Sequence, residues 1–202
     1  MSIFKNFPLF GRKKSNPPAF LLSSNLWTAG PFLTSSRSEN GGRLHVINND
    51  MVIIPQAPGE LSALLMRGRD LSGSTEMVLR YRIEGDGVAK PHDRADGYTS
   101  ISLYFQRAGD DWSARGAFES YRWYSPVVHH PIRAGSFELG VPFSANWTAV
   151  MGSNRTVSEA AFVAAQRECY AMGVAFGNSS GRMHGIYAEG DLRFIVESFD
   201  IL

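Results

Sequence analysis

The stretch GAFESYRWYSPVVHH, residues 116 to 130, concentrates the side chains of greatest chemical potential in this chain. Phe118, Tyr121, Trp123 and Tyr124 surround Glu119 and Arg122, and His129 and His130 close it. With Asp110 and Asp111 upstream, Glu119 could supply the carboxylate pair of a carbohydrate hydrolase or lyase, whose acids stand roughly 5–9 Å apart across a sugar. Asp110 and Asp111 also suit a Gly-Asp-Asp turn, which accounts for them without chemistry. Adjacent histidines on an extended chain point to opposite sides, so His129 and His130 do not suit one metal ion. His92 and His184 have no ligand spacing, and Cys169, the sole cysteine, fits an inert buried thiol. Gly177-Asn-Ser-Ser-Gly has the spacing of a Gly-x-Ser-x-Gly elbow but reads as a turn, and no phosphate loop is present. The sequence therefore points away from an enzyme.

Binding is the other chemistry this stretch offers. With a period of two, Ala117, Glu119, Tyr121 and Trp123 share one face, and Phe118, Ser120, Arg122 and Tyr124 the other. Each face carries one charge, so hydrophobicity alone does not set which one points outward. If the Glu119 face is exposed, it joins Tyr104 and Gln106, with Arg80 and Arg82, on one sheet. Aromatic rings then cover the C–H face of a sugar while planar amide, carboxylate and guanidinium groups take its hydroxyls. The competing reading is core, since Trp and Tyr are favoured strand residues.

The elements that must position these residues are mostly short and extended. EMVLRYRI alternates Met77, Leu79, Tyr81 and Ile83 against Glu76, Val78, Arg80 and Arg82, and SISLYFQ alternates in the same way. YAMGVAF places Tyr170, Met172, Val174 and Phe176 on one side. RLHVI and MVIIP flank Asn48-Asn49, which predicts a hairpin. One segment, residues 156–169, is rich in helix formers, and Thr156 with Glu159 has capping-box spacing. Many short strands separated by Gly/Asn/Asp turns predict an all-β, two-sheet antiparallel sandwich with one short helix over residues 26–202.

Residues 1–25 read as an N-terminal arm. Phe4, Phe7, Leu9 and Phe10 precede Arg12, Lys13 and Lys14, which suits docking onto another subunit or a membrane surface. The chain's net charge of +1 argues against a general nucleic-acid binder. No run approaches the roughly 18–20 apolar residues of a membrane span. The opening residues also lack the order of a secretory signal, because the basic cluster follows the apolar residues. The expected location is the cytoplasm, or a larger assembly or particle.

RGRDLSGSTEMVLRYRIEGDG resembles the segment of galactose-binding-like jelly rolls in which a DLSG turn feeds a strand ending in GDG. ELGVPFSANW and the closing LRFIVESFDIL resemble later parts of the same fold, as found in carbohydrate-binding modules and in assembly factors of the complex I intermediate-associated type. The resemblance implies a jelly-roll sandwich. It also implies a structural Ca²⁺ between first and last strands, held by Asp200 with Glu39 or Asn40. The expected function is a non-catalytic glycan-binding module. The alternative is a structural or assembly subunit that uses the sandwich and its arm for protein contacts.

Overall fold

The structure, a computed structural model, describes residues 27–30, 45–47, 51–54, 61–92, 97–127, 132–178 and 181–202. Among these, strands β1 (Trp27–Gly30), β2 (His45–Ile47), β3 (Met51–Ile53), β4 (Ala63–Arg67), β5 (Glu76–Gly85), β6 (Val88–Pro91) and β7 (Thr99–Arg107) come first. A 3-10 turn at Gly116–Ser120 leads into β8 (Arg122–Tyr124), β9 (Gly135–Pro142) and β10 (Thr148–Ala149). Helix α1 (Glu159–Arg167) then precedes β11 (Cys169–Asn178), β12 (Ile186–Glu189) and β13 (Leu192–Ile201). The fold is an all-β sandwich. A seven-stranded antiparallel sheet, ordered β10-β8-β7-β11-β4-β1-β2, packs against a four-stranded one, ordered β3-β13-β5-β9. β12 and β6 form a separate ribbon.

Alternation in the sequence becomes burial in the core. Met77, Leu79, Tyr81 and Ile83 of β5 and Leu192, Phe194 and Val196 of β13 face Leu64, Leu103, Met172, Val174 and Phe176 from the larger sheet. Phe176 meets Phe194 edge-on at 5.2 Å, directly joining the two layers. A β-bulge separates Val196 from Ser198 and resets the register of β13. The turn after β5 depends on Gly85 (φ 113°), where a Cβ would strike the Asp191 carbonyl.

The helix lies where the sequence places it, but its start differs. Ser158 is the N-cap and makes no side-chain cap bond. Instead, Asn154 Oδ1 accepts the Val157 N–H at 3.0 Å, closing the turn before the helix. Phe162 of α1 packs edge-on against Trp123 (5.0 Å) and Phe105 (5.4 Å), so α1 covers the inner face of β7 and β8. Trp147 and Phe143 complete this aromatic nest, stacked 5.6 Å apart.

Two expectations need correction. RLHVI and MVIIP do not pair as a hairpin, because β2 pairs with β1 and β3 with β13, in different sheets. The period-two reading of residues 117–124 also fails. The 3-10 turn occupies Gly116–Ser120, so only Arg122–Tyr124 alternates as a strand. The arm residues Phe4, Phe7, Leu9, Phe10, Arg12, Lys13 and Lys14 lie outside the described residues, as do Asn48, Asn49, Glu39, Asn40, His129 and His130. No helix of the described residues is long and apolar enough to cross a membrane.

Trp123 is fully buried, with its indole N–H donating to the Ser120 carbonyl at 2.7 Å. Trp123→Ala should therefore destabilise the domain by about 3–5 kcal/mol in chemical denaturation, as large aromatic truncations in cores do. A loss below about 1 kcal/mol would place this side chain outside the core.

Candidate functional site

The inner face of the larger sheet belongs to the core, but its outer face is also covered. A second apolar cluster there comprises Ala63, Leu65, Tyr104, Tyr124, Ala175 and Met183, with Trp112 and Val150 packed on it. β7 consequently buries both faces: Leu103 and Phe105 inward, Ser102, Tyr104 and Gln106 outward. The polar alternation of its sequence therefore does not mark an exposed face.

The polar centre of this cover is a buried ion pair. Arg122, 1% exposed, brings Nε within 2.9 Å of Asp110 Oδ2, although the N–H is poorly aligned for a hydrogen bond. Asp110 Oδ2 also accepts from Gln106 Nε2 at 2.9 Å, and Gln106 Oε1 accepts from the Tyr104 hydroxyl at 2.9 Å. Asp110 Oδ1 accepts the Trp112 backbone N–H at 3.0 Å. This turn holds Trp112 in the left-handed region (φ 63°) and its ring beneath the Arg122 guanidinium, 4.9 Å from Cζ. Burial pushes the Asp110 carboxyl above its ordinary range, with Arg122 the largest opposing influence.

The loop that Asp110 anchors returns to the sheet at Tyr121, whose carbonyl accepts the Arg107 N–H at 2.8 Å. Here Phe118 and Tyr121 meet edge-on at 4.9 Å, and both remain half-exposed. Arg107 lies over the Tyr121 ring, with Cζ 4.9 Å from its centroid. Glu168 fixes that guanidinium with two contacts, to Nε at 2.8 Å and Nη2 at 3.3 Å. The exposed Glu119 accepts the Gly116 N–H at 3.2 Å.

The proposed ligand face is therefore divided. Glu119 and Tyr121 stay together at the loop's end. Tyr104 and Gln106 belong to the buried outer cluster, and Trp123 points to the opposite side of the sheet, into the core. Arg80 and Arg82 lie on the four-stranded sheet, within a surface ion-pair ladder. Arg80 contacts Glu138 at 2.7 Å and Asp200 at 3.1 Å; Arg82 pairs with Glu84 and, at 3.1 Å, with Glu197. Asp200 Oδ2 also accepts from Ser198 Oγ at 2.9 Å. Among the described residues no cluster of His, Cys, Asp and Glu side chains suits a metal ion.

The expected hydrolytic acids have local structural roles. Asp111 Oδ1 accepts the Ser113 N–H at 2.9 Å, Glu119 closes its own turn, and Asp110 is ion-paired. Sequence reasoning treated Arg122 only as a strand charge and passed over Trp112 and Arg182. A positive-φ Trp cannot be read from composition, and Arg182 follows a Gly-Asn-Ser-Ser-Gly turn with no motif that singles it out. Compared with known proteins, the chain matches no family model and no curated sequence.

Burial pushes the Tyr81 and Tyr124 phenols up to about 12, raises Tyr104 well above the usual phenol range, and drives the Cys169 thiol to about 12. Each raised value means that the folded state favours the neutral form. The stability this contributes is complete below the unfolded-state values, near 9–10, and is lost as pH rises toward 12. Absorbance at 295 nm should show these three phenols ionising together with loss of backbone structure. Their ionisation in a still-folded protein would contradict this burial.

Proposed function

We propose that this protein is a non-catalytic glycan-binding module, with its contact platform at Phe118 and Tyr121. The observation that carries this reading is a pair of half-exposed aromatic rings on a hydrogen-bonded turn, beside the planar Arg107–Glu168 pair and Glu119. An aromatic ring in water offers a flat apolar surface to the C–H groups of a pyranose. The guanidinium and carboxylates beside it offer directed donors and acceptors to hydroxyls. The ion pair already constrains Arg107, so less side-chain entropy is lost on binding. The resemblance to galactose-binding-like jelly rolls supports the same reading. Catalysis receives less support, because Asp110, Asp111 and Glu119 all serve local structure.

Alanine at Tyr121 or Phe118 should weaken binding to glycans found on an array by about tenfold, the scale of an aromatic contact worth ~1.4 kcal/mol. Melting temperature should hardly change, in contrast to Trp123→Ala. An array without a hit, or unchanged affinity in both variants, would remove this reading.

A further inference from the structure

The outer cluster contains more cation and more hydrogen-bond donors than its described partners satisfy. Arg122 Nη2 and the Trp112 indole N–H are buried without a hydrogen-bond partner among the described residues. The Arg122 side chain is only 2% exposed, so these donors are removed from bulk water. Leaving such a group unsatisfied costs about 1–3 kcal/mol, and more when it is charged.

A second guanidinium stands close by. Arg182 lies over the Tyr124 ring, with Cζ 5.7 Å from the centroid, and burial lowers its ordinary proton affinity. Among the described residues Tyr124 is the electrostatic neighbour of Arg182, and no acid pairs with it. Arg122 and Tyr124 project from the same side of the three-residue β8, and the Tyr124 phenol feels both arginines. Asp110 is the carboxylate that pairs with Arg122, which leaves Arg182 without a carboxylate partner among the described residues.

The covering residues are held in uncommon backbone conformations. Trp112 has φ 63° and Met183 has φ 65°, a region that non-glycine residues seldom adopt. Met183 is buried against the sheet in this cluster, and the Tyr124 hydroxyl meets its Sδ at 3.9 Å. Such strain persists where the surroundings enforce it, and it gathers at ligand clamps. Trp112 and Arg182 both keep part of their surface in water, which leaves a route inward.

We propose that this outer face is a subsite for the carboxylate of an acidic sugar, received by Arg122, Arg182 and the Trp112 indole beside the Tyr124 ring. One carboxylate gives Arg182 the single negative partner it lacks, whereas a phosphate dianion would bring two charges to the one unpaired guanidinium. A planar carboxylate also matches the fork of a guanidinium. That the carboxylate belongs to a sugar rests on the glycan reading; its place between the arginines rests on the donors described above.

The test is a titration of the full chain with sodium glucuronate at constant ionic strength, following the Trp112 indole N–H resonance, assigned from its absence in Trp112→Phe. Glucuronate should shift this signal saturably, while glucose and methyl glucuronate ester should not. Arg182→Gln should weaken glucuronate binding at least tenfold without changing the fold's dispersion, because it removes a desolvated charge and no described ion pair. Equal shifts with glucose or the ester, an unchanged affinity in Arg182→Gln, or no shift at all would overturn the site. Tighter binding of inorganic phosphate than of glucuronate would overturn its carboxylate character. Glucuronate does not need the Tyr121 platform. Its binding would therefore survive a failure of that platform, and its failure would leave neutral-glycan binding at Tyr121 standing.

Discussion

The constraint on which this architecture turns is the burial of Arg122 beside Asp110 on the outer face of the larger sheet. A sheet used on one face can leave the other to water, but here β7 is buried on both. Covering the outer face with loops brings polar groups inside, and each then needs a partner. Asp110 meets much of that demand, contacting Arg122, Gln106 and the Trp112 backbone. The conformation of the following loop, and the place where Phe118 and Tyr121 emerge, follow from this anchor.

Stability alone is a poor explanation for such a pair. Removing two ions from water costs several kcal/mol each, and well-packed apolar replacements are often no less stable. An ion pair can, however, fix a loop in one arrangement where apolar packing would allow several. The Asp110 carboxyl, raised by burial despite its cation, reflects that cost. Arg122 Nη2 and the Trp112 indole N–H find no hydrogen-bond partner among the described residues, so the described network is not closed.

Much of the sandwich was legible in the sequence because its inner faces follow simple periods. β5, the first half of β13 and the inward residues of β11 bury the side chains that alternation picks out, and the helix-forming segment before Cys169 is α1. The site was less legible for physical reasons. The 3-10 turn at Gly116–Ser120 interrupts the period, so Glu119 and Tyr121 are separated from Trp123. Tyr104 and Gln106 alternate as surface residues would, yet loops from distant parts of the chain cover them. Arg80 and Arg82 are outward residues, but of the other sheet. Asp110 was readable as a turn residue; its contact with Arg122 was not, because no local pattern encodes the return of this loop.

The central claim is that Asp110 and Arg122 act as one unit that sets the loop. It is tested most directly by a double-mutant cycle of Asp110→Asn and Arg122→Met, with unfolding free energy as the readout. Either single change should cost about 3–5 kcal/mol by leaving its partner buried and uncompensated. The double change should cost clearly less than their sum, giving a coupling of about 1.5–3 kcal/mol. Additive losses within about 0.5 kcal/mol would show two independent side chains, and would contradict the account.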